Sequence, residues 1–171
     1  MGYKFSSLVT TLFLLVASSY AISKEEVNAI CKETNNPSFC VTLLSPHLNA
    51  TFYELIEHTI DGERLSITNT IKLINALISQ SAKNPTAQKH YKVCLEHLSK
   101  DALSDLERSQ ELLKKGDYQN VGVAALAIVL DVEDCRVGGS PFLDPSMLPK
   151  YLSAVDLFAQ MIISISKYLH R

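Results

Sequence analysis

From Thr51 onward, apolar residues recur every three or four positions, the period of an α-helix that buries one face. Ile67, Ile71, Ile74 and Ile78 step by four, three and four, one apolar seam on a helix predicted from about Thr51 to Ala82, with Gly62 as a place to bend. Asn84-Pro85 stops it, because the residue before a proline disfavours the helical region. A second long helix is predicted from about Thr86 to Lys115, with Tyr91, Leu95, Leu98, Ala102 and Leu106 inward. Lys114-Lys115-Gly116 ends it, with cations in the last turn and Gly at the C′ position. On a third, from about Tyr118 to Val137, Ala124, Ile128, Asp131 and Cys135 share a stripe. Gly138-Gly139, Pro141, Pro145 and Pro149 mark a loop. The last helix, Ser146 to about Leu169, carries Leu148, Leu152, Val155, Ala159, Ile162 and Leu169 at helical spacing.

Ahead of these, Ser23-Lys24-Glu25-Glu26 has capping-box spacing and opens a short helix to about Thr34. Asn35-Asn36-Pro37 breaks the chain, and a second short helix, Ser38 to Leu44, ends before Pro46. No strand-like alternation competes. The expected fold is all-α: an up-down-up-down four-helix bundle over residues 51–171, preceded by an N-terminal helical hairpin over residues 22–50.

Residues 1–21 read as a signal peptide rather than as fold. Lys4 is the positive n-region, Leu8 to Ala17 the apolar core, and Ser19-Tyr20-Ala21 a small-x-small cleavage site. The apolar run is shorter than the roughly 20 residues that span a bilayer, and no later stretch is expected to be long and apolar enough. The mature chain is expected to be secreted, extracellular and free of the membrane. An oxidising compartment gives the four cysteines a meaning, since an even number there argues for disulfides. Of three connectivities, Cys31 and Cys40, nine positions apart around Asn35-Asn36-Pro37, suit a tight hairpin. That leaves Cys94 with Cys135, at the same end of an antiparallel helix pair. Asn49-Ala50-Thr51 is a glycosylation sequon, so Asn49 is a candidate glycan site.

Charge and composition then exclude whole classes of function. The net charge of −2 becomes −3 once Lys4 is removed, and without a basic block there is no footprint for nucleic acid. Only six glycines are present and none forms a Gly-rich strand-to-helix loop, so a dinucleotide or phosphate cradle is excluded. There is no G-x-S-x-G nucleophile, and the cysteines are committed to bridges. A cysteine-based zinc site lacks any C-x-x-C, and its nearest histidines, His90 and His97, read as solvated residues on a polar face. Asp101, Asp105 and Glu107, then Asp131, Glu133 and Asp134, are carboxylate clusters, but a bundle filled with Ile, Leu and Ala offers no sugar cleft for a glycosidase pair. Asp131 stands out because it lies on the apolar stripe, where a carboxylate needs a partner. No catalytic residue, cofactor or metal is expected.

The Cys31–x8–Cys40 hairpin containing Thr34 and Asn36-Pro37-Ser38-Phe39-Cys40, followed by a bundle with Cys94 and Cys135, resembles the plant invertase and pectin methylesterase inhibitor family. Lys115-Gly116-Asp117-Tyr118, with Cys135 nineteen positions after Gly116, adds to the resemblance, which covers residues 22–171. It implies the pairing Cys31–Cys40 and Cys94–Cys135. It also implies a monomeric proteinaceous inhibitor of the cell wall, or of the vacuole for some members. Invertase-directed members carry Pro-Lys-Phe directly after Gly-Asp; here Gly116-Asp117 is followed by Tyr118-Gln119-Asn120, which is similar to the esterase-directed branch. The resemblance therefore implies a pectin methylesterase partner, bound one to one across its pectin-binding cleft through Glu96, Asp101, Asp105, Tyr118 and Asp134. The chain departs from that branch at Asp134 and Arg136-Val137, around the last cysteine. Asp101 and Asp105 match only with one residue inserted, and the 22-residue step from Cys94 to Gly116 and Ser140-Pro141-Phe142 are closer to the invertase branch. An acid invertase partner, or a secreted binding protein without an enzyme target, is the alternative.

Overall fold

The computed structural model describes residues 21–137 and 142–169. Nearly all of the expected signal peptide, the Gly138 to Pro141 part of the expected loop, and His170 lie outside them. Among the described residues there is no strand. The hairpin is α1 (Lys24–Lys32) and α2 (Pro37–Leu44), followed by a 3₁₀ turn (Ser45–His47). The bundle is α3 (Phe52–Gln80), α4 (Pro85–Glu96), a π-helical segment (His97–Ala102), α5 (Leu103–Lys114), α6 (Tyr118–Val137) and α7 (Leu148–Leu169). Taken as one rod, α4 through α5 is the second long helix of the expected bundle. Each rod packs on its neighbours, α3 on α4 and α7, α6 on α5 and α7.

The caps follow from the residues at each boundary. Ser23 and Thr51 form capping boxes with Glu26 and Glu54. Asn36 and Asn84, each before a Pro in the first helical turn, accept from the amides of Phe39 and Ala87. Gly116 adopts φ +74°, and its amide and that of Asp117 donate to Leu113 and Leu112, closing the helix with the expected left-handed residue. The last helix starts at Leu148 rather than Ser146, whose hydroxyl instead accepts from the Leu148 amide at 3.0 Å.

The seam on α3 is longer than the four isoleucines suggest. Ile56, Ile60, Glu63, Ile67, Thr70 and Ile74 are all buried, while Ile71 and Ile78 are half-buried at its edge. The helix runs unbroken through Gly62, whose role is close packing: a Cβ there would lie 2.5 Å from a ring carbon of Phe158. Phe158 belongs to α7 and floors a groove of about 330 Å³ between the two helices. Gly62→Ala should therefore cost about 1–2 kcal/mol through overpacking, despite Ala's better helix propensity. In a Phe158→Leu background the same change should be neutral or stabilising. Urea midpoints for the four proteins of that cycle test this, and an equal loss in both backgrounds would refute it.

One expectation about the membrane is corrected. By length and composition α7 could cross a bilayer, with a mean hydropathy of 1.3 over its most apolar window. Over half of that window, 56%, is buried inside the bundle, so a core helix accounts for its composition. The hairpin rests on this helix. Asn35 donates its amide to Gln160 at 2.7 Å and its side chain to Asp156 at 2.9 Å, and Glu33 pairs with Lys167. The bridges are Cys31–Cys40 and Cys94–Cys135, and among the described residues no cysteine is free.

Candidate target-binding surface

The second disulfide organises the acidic surface. Cys94 near the end of α4 and Cys135 near the end of α6 stand 4.3 Å apart at their Cα atoms, which pins two antiparallel rods in register. His97 lies three residues after Cys94 and Asp131 four before Cys135, so both stay on the faces that meet across the bridge. Asp101 and Asp105 follow His97 at successive steps of four, and Asp134 follows Asp131 at three. Asp131 accordingly feels Asp105, Asp101 and Asp134 as well as His97.

The π-helical segment has a cause in the spacing of the core. Cys94, Leu98, Ala102 and Leu106 are fully buried at three successive steps of four. In an α-helix each such step overshoots a full turn by about 40°, so the stripe would drift off the bundle axis. A wider turn over His97–Ala102 absorbs the drift and keeps all four inward. A π turn also accommodates one extra residue relative to an α-helical turn.

Burial and mutual repulsion set the ionisation of this face. Desolvation, then the neighbouring Asp105 and Asp101, push the Asp131 carboxyl up to about 6. Desolvation also raises Asp105, with Arg108 opposing it. His97 Nδ1 is 3.4 Å from Asp101 Oδ2 and 3.9 Å from Asp131 Oδ1. His97 thus faces Asp131 across the two rods, but at a separation longer than a hydrogen bond.

The five residues singled out from the sequence do not form one patch. Asp101, Asp105 and Asp134 gather around Asp131, the first and last of them well exposed. Glu96 is exposed too, but its carboxylate accepts from Lys100 at 2.9 Å, which holds its pKa below the ordinary range. It lines a separate shelf with Lys89, Lys92 and Val93. Tyr118 opens α6, half-buried against the core and near Tyr53. Sixteen residues of helix, about 24 Å, separate it from Asp134.

Two readings of histidine are corrected. His90 is 4% exposed rather than solvated, because it lies four residues before Cys94 on the buried stripe. Its ring packs against those of Tyr91 and Phe142, and burial lowers its pKa. His97 is half-buried against Asp131. A further feature is an exposed apolar row on α6, Val123, Leu126 and Leu130, leading to Asp134. Its i, i+3, i+7, i+11 spacing is legible in the sequence, but its exposure follows only from which face of α6 meets α5 and α7. Asn49 is exposed after the 3₁₀ turn, and the Thr51 of its sequon caps α3.

The chain matches the family described as plant invertase/pectin methylesterase inhibitor over residues 25–163. It is 32% identical to pectinesterase inhibitor 1 of Arabidopsis thaliana over 71% of this chain and 69% of that one. To pectinesterase inhibitor 2 of the same plant it is 26% identical, over 79% of each. Among solved structures, a mutant form of a pectin methylesterase inhibitor from Arabidopsis shares the fold with a TM-score of 0.72 at 24% identity, over 83% of this chain and 95% of that one. A second inhibitor structure, from Arabidopsis thaliana, gives 0.66 at 22% identity, over 86% and 97%. With its disulfide-closed hairpin, its four-rod bundle and this match over most of its length, the chain belongs to the plant invertase/pectin methylesterase inhibitor family, a family of enzyme inhibitors rather than enzymes.

Proposed function

We propose that this protein is a secreted inhibitor of pectin methylesterase that covers the enzyme's pectin-binding cleft in a one-to-one complex. The observation that carries the reading is the acidic face of Asp101, Asp105, Asp131 and Asp134, flanked by exposed Leu126 and Leu130. Demethylated pectin is a polyanion, and a rigid row of carboxylates presents similar charge to a cleft that binds it. Apolar side chains beside the row supply area that can be desolvated on docking. The names of the two Arabidopsis relatives support the same target. The signal sequence, the two disulfides and the Asn49 sequon support an apoplastic location, with the vacuole as the alternative.

The test adds oxidised residues 22–171 to a plant pectin methylesterase and, in parallel, to an acid invertase. Methanol release should fall while sucrose hydrolysis is untouched, and the inhibition should weaken with added salt because charge complementarity is screened. Asp101→Lys with Asp134→Lys should raise the inhibition constant by at least about tenfold, since each like-charge juxtaposition costs kcal/mol-scale energy. Full inhibition by that variant would remove the acidic face from the interface. Loss of sucrose hydrolysis alone would favour invertase and move the site to the turn Gly116 to Asn120, where Asn120 donates to Asp117 at 2.8 Å. Inhibition of neither enzyme would leave a secreted binding protein of the same fold.

A further inference from the structure

We propose that His97, Asp101 and Asp131 form a binding site for a divalent transition cation of the zinc type. No metal-ligand spacing marks this site in the sequence, because the three side chains come together only across the pair formed by the π-helical segment and α6. Their ligating atoms all lie within 4.8 Å of one another. His97 and Asp101 are an i, i+4 pair on one helical face, and Asp131 arrives from the opposite rod.

The three groups converge without satisfying each other. His97 Nδ1 and Asp131 Oδ2 are closed to solvent, and neither has a hydrogen-bond partner among the described residues. The Asp131 side chain is only 13% exposed. Sealed polar atoms are almost always bonded in folded proteins, so an unbonded imidazole nitrogen beside an unbonded carboxylate oxygen asks for a third species between them. A proton shared by the pair would need better alignment than the contacts at 3.4 and 3.9 Å provide.

Ligand chemistry selects the class of ion. One imidazole nitrogen with two carboxylate oxygens suits Zn²⁺ and its neighbours, whereas Ca²⁺ and Mg²⁺ take oxygen alone. Bonds of about 2.0–2.2 Å place two ligands of a tetrahedral ion roughly 3.4 Å apart, so small rotamer shifts close the observed distances. Asp105 and Asp134 stand nearby and add negative potential that concentrates cations. The Cys94–Cys135 bridge fixes the two rods, so little backbone ordering is needed on binding. Three protein ligands leave a fourth position for water or for a group from a partner.

The test uses the full mature chain with both disulfides intact, stripped with chelator and titrated with ZnCl₂ by calorimetry. One saturable site is expected, unaffected by millimolar Ca²⁺ or Mg²⁺, with a shift of the His97 ring nitrogen resonances on binding. His97→Ala and Asp101→Asn each should weaken binding by at least about tenfold, as even a displaced outer-shell partner costs that much. Asp101 is exposed, so its variant keeps the fold. His58→Ala serves as the control, because His47 and His58 form the other histidine pair, with ring centroids 4.6 Å apart. Absence of a saturable site, or binding that survives His97→Ala and disappears in His58→Ala, overturns the assignment. The readout is ion binding by the protein alone, so it is independent of whether pectin methylesterase is the target.

Discussion

Replacing Glu63 with Met is expected to stabilise the protein, by about 1–3 kcal/mol at pH 4 and by more as the pH rises, until the carboxyl ionises within the fold. Glu63 is fully buried on the α3 seam between Ile60 and Ile67, and neither carboxyl oxygen has a hydrogen-bond partner among the described residues. Desolvation, reinforced by Asp156, pushes its carboxyl well above the ordinary value of 4.5. Asp156 itself is well supplied, accepting from Asn35, Gln160 and Arg136, so the two buried acids have opposite circumstances.

The sign of the pH effect follows from linkage. Above pH 4.5 the unfolded chain releases the Glu63 proton while the folded chain retains it. Stability should therefore fall as pH rises, by up to about 1.4 kcal/mol per unit, until the carboxyl ionises within the fold. Below pH 4.5 both states hold the proton, and only the cost of an unsatisfied buried carboxyl remains, about 1–3 kcal/mol. Glu63→Met removes both contributions, and Glu63→Gln removes the slope but leaves unpaired polar atoms. Urea unfolding of the three proteins between pH 4 and pH 8 measures this. Parallel curves for wild type and Met variant would show that the carboxyl is not held neutral in the fold.

Loss of the Cys94–Cys135 bridge should have the largest effect on stability. It closes a loop of 41 residues, for which chain entropy gives about 4 kcal/mol; the 9-residue loop of Cys31–Cys40 gives about 2–3 kcal/mol. The Cys94→Ala, Cys135→Ala double variant should therefore unfold at clearly lower denaturant than the corresponding variant of the hairpin bridge. A second consequence is local, because that bridge alone ties the end of α4 covalently to the end of α6. Hydrogen exchange should rise first in the π-helical segment and in α6 near Asp131. A hairpin-bridge variant that is the less stable of the two would falsify the ordering.

Much of the fold is legible in the sequence because its signals are local. Capping boxes at Ser23 and Thr51, proline after Asn36 and Asn84, and a left-handed glycine at Gly116 act within a few residues, through backbone amides that any helix end must satisfy. The burial of Glu63 was also open to inspection, since it falls on the α3 period between Ile60 and Ile67, but a charged residue reads as solvated until its surroundings are known. The π-helical segment is encoded in three consecutive steps of four, although its meaning depends on all four residues being buried together.

The set of helices, their ends, and cysteine positions compatible with two bridges are therefore written locally along the chain. Which side chains face one another is settled by the packed fold. It set His97 against Asp131, thirty-four positions apart, and separated Tyr118 from Asp134 on a single helix. It also enclosed His90 and left Leu126 and Leu130 on the surface. The physical reason is that helix formation and capping depend on neighbours within a turn, whereas burial and electrostatic surroundings depend on the rotation and register of whole rods. Those are fixed here by the shared core and the Cys94–Cys135 bridge.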